Sequence, residues 1–205
     1  AQQSNGPINP PHYPGADEDI RTALRTFVPN QLLTQPSARI GVFSSLTPWV
    51  ELILQSETKA SQITTVEYNA PIIEDSNAGL STLSVADLPS AHAKGTRFDV
   101  IVSFSGIEHD GLGRYGDPVH PYGDLAAMRE MWACLPVGGL LLLGIPMCAH
   151  DQLIWPDHRI YGPHRLKLLL KGYKLLGRAW KNESLSLHGG FEGARAKAKL
   201  FELPH

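Results

Sequence analysis

Phe98-Asp99-Val100-Ile101-Val102-Ser103-Phe104 is followed, after Ser105-Gly106-Ile107, by Glu108-His109-Asp110-Gly111-Leu112-Gly113-Arg114-Tyr115-Gly116-Asp117-Pro118. The first string is an apolar run of strand length. The second interleaves acidic, basic and imidazole side chains with glycines. Glycine at that density rules out a regular helix and lets backbone approach a ligand closely. A buried strand that opens into a charged, glycine-rich loop reads as the mouth of an α/β site. In open parallel sheets, ligands bind outside the carboxyl ends of the strands.

The same alternation extends in both directions. Arg39 to Phe43 reads as a short buried strand, followed by Thr47-Pro48 as an N-cap and first-turn proline. A helix then runs through Trp49, Val50, Leu52, Ile53 and Leu54. Ile63-Thr64-Thr65-Val66 is β-branched throughout and predicts a second strand, with Leu80 to Val85 a weaker third. Asp124 to Leu135 carries helical spacing and stops at Pro136-Val137-Gly138-Gly139. Leu140 to Ile145 is apolar on both faces, as a central parallel strand requires. Pro163 to Leu170 reads as a helix. Tyr173 to Trp180 and Lys197 to Leu203 read as strands that pair as an antiparallel edge.

Strand alternating with helix implies right-handed crossovers and helices on both faces of a parallel sheet. The expected fold is α/β: a Rossmann-like, doubly wound, mostly parallel sheet with an antiparallel C-terminal edge. Residues 38–205 form this domain. Residues 1–37 form a Pro/Gly-rich arm, marked by Asn5-Gly6-Pro7, Asn9-Pro10-Pro11 and Tyr13-Pro14-Gly15. The arm carries one short helix, from Asp17 to about Phe27, and is read as a strap on the domain or a contact for a protein partner.

Composition narrows the partners. A 205-residue chain with 42% hydrophobic and 19% charged residues is globular in character. A formal net charge of -2 offers no field for nucleic acid or an anionic membrane. No apolar run approaches the ~20 residues that span a bilayer. Cys134 and Cys148 are the only cysteines and are expected as reduced, partly buried thiols. The chain begins at Ala1 without an initiator Met, so a processed or truncated piece is the expectation.

Candidate site residues follow from position. Glu67 closes the second strand about two dozen residues after Gly41, and the dinucleotide fingerprint places its ribose-binding carboxylate about 20 residues on. An ionised carboxylate accepts two hydroxyl hydrogen bonds, which suits a ribose diol. Asp87, after the third strand, is placed beside an adenine. Gly41-Val42-Phe43-Ser44-Ser45-Leu46-Thr47 has one glycine where G-x-G-x-x-G has three. That argues against a diphosphate, which wants backbone N–H groups at close range. S-adenosylmethionine carries no phosphate and tolerates a sparser loop.

Arg39-Ile40-Gly41-Val42 with Pro48-Trp49-Val50-Glu51 and Thr64-Thr65-Val66-Glu67-Tyr68-Asn69 makes one pattern. The strand and loop quoted first make a second. Pro136-Val137-Gly138-Gly139-Leu140 and His158-Arg159-Ile160-Tyr161-Gly162-Pro163 complete it. Together these resemble an uncharacterised methyltransferase-like family, domain-of-unknown-function family two-six-eight, over about Ala38 to Trp180. More distantly they resemble class I S-adenosylmethionine-dependent methyltransferases. The resemblance implies that Gly41, Ser44 and Ser45 hold the methionine part of the cofactor. It implies Glu67 at the ribose, Asp87 at the adenine, and Ser105 to Asp117 facing the substrate.

His109 and Asp110 are the catalytic candidates. A histidine near its ordinary pKa removes a proton from a hydroxyl or amine as methyl transfer proceeds. Asp110 orients its ring or holds the substrate. In the structural alternative, His109 and Arg114 bind loop carbonyls and carboxylates and keep the loop closed. Arg114, Asp117, His158, Arg159 and Tyr161 are the substrate-binding candidates. Arg159 forks onto a substrate carboxylate or, in the simpler reading, onto Asp110 or Asp117. No spacing among His109, Asp110, Asp117 and His158 specifies a metal.

Two functions stay open. One is an S-adenosylmethionine-dependent methyltransferase acting on oxygen or nitrogen of a small-molecule or glycan-like acceptor. The other is a non-catalytic binding or assembly module that keeps the sheet but not the cofactor.

Overall fold

Side chains alternate across a strand, so an apolar run divides itself between two faces. In the computed structural model, which describes residues 13–73, 79–179 and 195–202, that division builds two cores. Val100, Val102, Leu140 and Leu142 point to one, with Ile40, Val42 and Ile63. Ile101, Leu141, Leu143 and Ile145 point to the other.

Among the described residues the chain runs α1 (Ala16–Phe27), α2 (Asn30–Thr34), β1 (Arg39–Phe43), α3 (Trp49–Glu57), β2 (Gln62–Glu67) and β3 (Leu80–Ser84). It continues with α4 (Leu88–Ala93), β4 (Val100–Phe104), α5 (Gly123–Cys134), β5 (Leu140–Met147), β6 (Gln152–Ile154) and β7 (His158–Ile160). α6 (Pro163–Leu169), β8 (Lys174–Ala179) and β9 (Arg195–Glu202) complete it.

Seven strands form one sheet in the order β3-β2-β1-β4-β5-β9-β8. β1 pairs in parallel with β2 and β4, with Val42 opposite Thr65 and Val102. β2–β3 and β4–β5 are parallel as well. α1 and α3 cover one face through Ile20, Leu24, Val50, Ile53 and Leu54. α4, α5 and α6 cover the other through Leu88, Met128, Met131, Cys134 and Leu169. This is the doubly wound, mostly parallel sheet expected. Its parallel strands bring the ends of β1, β2 and β4 to one edge.

β9 runs antiparallel to both β5 and β8. The C-terminal antiparallel pair is therefore present, with β9 one place inside the edge and β8 outermost. Trp180 and Leu203, the expected ends of those strands, lie outside the described residues, as do the turns of the arm before His12.

Four elements went unforeseen. α2 and α4 are too short for helical periodicity to register, and the β6–β7 hairpin lies inside what reads as a polar loop. The start of α3 also differs: no side chain caps it, and Pro48 rather than Thr47 occupies the cap position. α1 begins near the expected point and docks on α3 through a two-pronged clasp. Arg21 and Arg25 both reach Glu57, at 2.5 and 2.7 Å. No helix among the described residues is long and apolar enough to cross a membrane.

Candidate functional site

The turn after β1, the end of β2 and the loop after β4 surround one cavity of about 590 Å³. Its walls are aromatic and its floor is acidic.

The first wall is made by the turn after β1. Ser44 takes a left-handed φ of 60°, and its N–H donates to Val66 O at 3.0 Å, which bends the chain away from the sheet. The turn is pinned from below by Glu51, buried on α3. Glu51 accepts from Ser45 Oγ at 3.1 Å and from Thr65 Oγ1 at 2.6 Å. Burial raises the Glu51 pKa, which these hydroxyl hydrogen bonds only partly counter. The sequence offered a signal for it: a carboxylate on the inward face of an otherwise apolar helical turn.

Glu67 sits at the tip of β2, 8% exposed, with Oε1 accepting the Tyr68 N–H at 2.9 Å. Burial raises its pKa. Trp49, Phe104 and Tyr13 close the aromatic side. The Trp49 and Phe104 rings meet edge to face at 5.3 Å, and Tyr13 packs on both. Tyr13 belongs to the arm, and its hydroxyl bonds Ser105 Oγ at 2.7 Å. Ser105 Oγ in turn donates to Glu108 Oε1 at 2.6 Å, so the Tyr13 hydroxyl is the donor to Ser105.

The loop after β4 supplies the acidic floor. Glu108 is 2% exposed, its Oε2 has no hydrogen-bond partner, and burial pushes its pKa up to about 7. Asp110 is pushed up to about 8, by burial first and then by the Glu67, Glu108 and Asp117 carboxylates. Asp117 shapes the loop itself: Oδ2 accepts the Gly111 N–H at 2.7 Å and the Gly113 N–H at 3.3 Å.

His109 is oriented by a backbone carbonyl. Its Nδ1 lies 2.6 Å from Asp157 O, and because a carbonyl only accepts, that nitrogen carries the proton. Nε2 keeps its lone pair, 3.9 Å from Glu108 Oε1. Burial, then the nearby Arg114 guanidinium, pushes the His109 pKa down to about 4, so the ring is neutral at physiological pH.

The sequence-derived candidates divide into two sets. Ser44, Ser45, Glu67, His109, Asp110 and Asp117 all line the cavity. Gly41, Asp87, Arg114, His158, Arg159 and Tyr161 are not among its lining residues. Gly41 lies within β1, where a Cβ would stand 3.0 Å from the Phe98 ring, so its smallness serves strand packing. Asp87 accepts from Ser84 Oγ at 2.7 Å beside α4. Arg114 pairs with Asp157 and lies 5.3 Å over the Tyr115 ring. His158 Nδ1 bonds Asp157 Oδ2 at 2.8 Å.

Arg159 is 3% exposed and donates to the Asp110 carbonyl at 2.6 Å, with Asp124 Oδ1 at 3.9 Å. It meets Asp110 through the backbone, not the carboxylate. Tyr161 is fully buried. Asp157, which ties His109, Arg114 and His158 together, and Tyr13 had no signal in local pattern. Tyr13 reaches Ser105, and Asp157 reaches His109 and Arg114, across more than forty residues of chain.

The fold has known counterparts. A 1,6-didemethyltoxoflavin-N1-methyltransferase from Burkholderia thailandensis, solved with 1,6-didemethyltoxoflavin and S-adenosylhomocysteine, is similar at 13% identity and a TM-score of 0.59, over 95% of this chain and 79% of that one. The N-methyltransferase NodS from Bradyrhizobium japonicum WM9, in complex with S-adenosylhomocysteine, is similar at 13% identity and a TM-score of 0.57, over 96% and 90%. A putative sarcosine dimethylglycine methyltransferase from Galdieria sulphuraria reaches 0.61 at 13% identity, over 92% and 85%. At such identities the likeness is one of fold. No curated protein matches the sequence.

One family model does match, over residues 39–193, which takes in β1, Glu67, the loop after β4 and the β6–β7 hairpin. On that match the chain belongs to the family described as Caenorhabditis protein of unknown function, DUF268.

Proposed function

We propose that the cavity binds S-adenosylmethionine and that the protein methylates an oxygen or nitrogen of a small-molecule or glycan-like acceptor. The carrying observation is that the turn after β1, Glu67 and His109 share one hollow at the carboxyl edge of a doubly wound sheet. Its volume of about 590 Å³ falls in the ordinary range for small-molecule sites, roughly 300–1,000 Å³.

Glu67, held by the Tyr68 N–H, would accept the two ribose hydroxyls. The turn through Ser44 and Ser45 would take the methionine end. Trp49, Phe104 and Tyr13 supply apolar surface on the same side. Bound there, the cofactor would supply an electrophilic methyl group. The protein's own contribution is positioning and proton handling, and positioning carries most of an in-line displacement. His109 Nε2 is the free acceptor facing Glu108, and the neutral ring takes a proton from a hydroxyl acceptor as its oxygen is alkylated. Glu108, titrating near neutrality, stands next in line.

One observation favours the non-catalytic module: the turn after β1 holds a left-handed serine where related cofactor loops use glycine. Calorimetric titration with S-adenosylmethionine separates the two. Binding is expected, and Glu67→Ala weakens it by about ten-fold or more, the loss of a charge-assisted hydrogen bond. No binding by the intact protein at millimolar ligand assigns the module instead.

A further inference from the structure

The cavity is lined by three carboxylates, Glu67, Asp110 and Asp117, and by no lysine or arginine among the described residues. The nearest cations are engaged elsewhere. Arg114 pairs with Asp157, and Arg159 is buried against the Asp110 carbonyl and Asp124. A second observation is independent of the lining. Glu108 lies just behind the wall, 2% exposed, with Oε1 on Ser105 Oγ and Oε2 lacking any partner. Buried polar atoms are rarely left unsatisfied, and this carboxyl adds to the acidic potential felt by Asp110 on the cavity lining.

The remaining wall suits the same ligand. Tyr68 and Tyr115 line the cavity beyond the rings given to the cofactor, and aromatic faces attract cations. An anionic acceptor, whether a phosphate ester or a carboxylic acid, would meet these carboxyl groups with no lysine or arginine on the lining to offset them.

Resting on the cofactor reading above, which gives Glu67, Trp49, Phe104 and Tyr13 to the cofactor, we infer that the methyl acceptor is an amine, bound as its ammonium among Asp110, Asp117 and the Tyr68 and Tyr115 rings of this cavity. The chemistry balances. With no amine bound, Asp110 holds its own proton, because burial and then its acidic neighbours raise its pKa. A bound ammonium favours the ionised form, so that proton leaves to solvent as the amine binds, and the resulting carboxylate takes one proton from the ammonium ahead of transfer. The freed nitrogen lone pair forms the N–C bond while the C–S bond breaks and its electron pair stays on sulfur. The positive charge of the sulfonium reappears on the methylated nitrogen, so no further base is needed. His109 Nε2 accepts an N–H hydrogen bond and aims the lone pair.

The test is equilibrium binding to the whole protein at low salt. The probes are benzylamine, benzyl alcohol and benzoate, with glucosamine and glucose as a second arm, and S-adenosylmethionine titrated in parallel. Benzylamine or glucosamine is expected to bind about ten-fold or more tighter than its uncharged partner, one charge-assisted contact, with benzoate weakest. The arm with the larger preference says whether a small aromatic amine or an amino sugar fits better. Asp110→Asn, isosteric with the protonated acid, should reduce the preference to about three-fold or less, and Asp117→Asn serves as a second variant if that one fails to fold. Equal binding of amine and alcohol, or tighter binding of benzoate, overturns the inference. If the cofactor binds while the amine preference is absent, only the amine assignment falls. If the preference is present without cofactor binding, the cation site stands and the transferase reading falls.

Discussion

Gly106→Ala probes the close approach that shapes the cavity. Gly106 follows β4, directly across from the turn after β1, and both line the hollow. A Cβ at Gly106 would overlap Ser44 Cβ and stand 3.0 Å from both Ser44 O and Ser44 Oγ. Carbon atoms sit comfortably at about 3.5–4.0 Å, so the two loops must separate by roughly 1 Å or more. Overpacking of this kind costs about 1–3 kcal/mol. At about 2–4 °C per kcal/mol for a chain of this length, the expected fall in Tm is roughly 2–12 °C. Ser44→Gly removes the opposing Cβ and Oγ and relieves a serine held at a φ of 60°. By itself it should be nearly neutral, because relief of left-handed strain offsets the entropy of an added glycine. The double variant should recover most of the lost Tm, with a coupling of about 1 kcal/mol or more. Thermal unfolding by circular dichroism of the four proteins reads this directly. A Gly106→Ala protein that melts within about 1 °C of the parent, or a double variant no better than Gly106→Ala, refutes the apposition of these loops.

Three further outcomes follow from buried charge. Asp124 is fully buried and receives Arg165 at 2.8 and 2.5 Å. Asp124→Ala leaves a partly buried guanidinium unpaired and should cost about 3–5 kcal/mol in denaturant unfolding, and a cost under about 1 kcal/mol contradicts the pairing. Asp110, with its pKa raised to about 8, keeps its proton in the native state and loses it on unfolding, so its penalty grows as pH rises from about 4 through 8. Asp110→Asn should therefore gain about 1–3 kcal/mol over the parent at pH 8.5 and nothing at pH 4, after allowance for solvent penetration. His109 acts with the opposite sign. Its lowered pKa removes stability as pH falls from about 6.5 toward 4, so His109→Gln should flatten the acid side of the same denaturation profile.

Apolar periodicity is local and survives in one dimension. Val100 to Phe104 and Leu140 to Ile145 announce strands buried on two faces, and the intervening helix forces them parallel. Parallel strands put Ser44, Glu67 and His109 on one edge, so much of the cavity lining of the candidate site was legible from strand ends alone. Polar partners are another matter. That Tyr13 reaches Ser105, that the Asp157 carbonyl rather than Asp110 orients His109, and that Arg159 spends itself on a backbone oxygen depend on contacts across 48 to 92 residues. The same holds for β9, which inserts between β5 and β8 because register and direction are chosen by the exposed sheet edge it finds. A side chain's hydrophobicity says which way it faces, whereas its hydrogen-bond partner and its pKa are set by neighbours that only folding brings near.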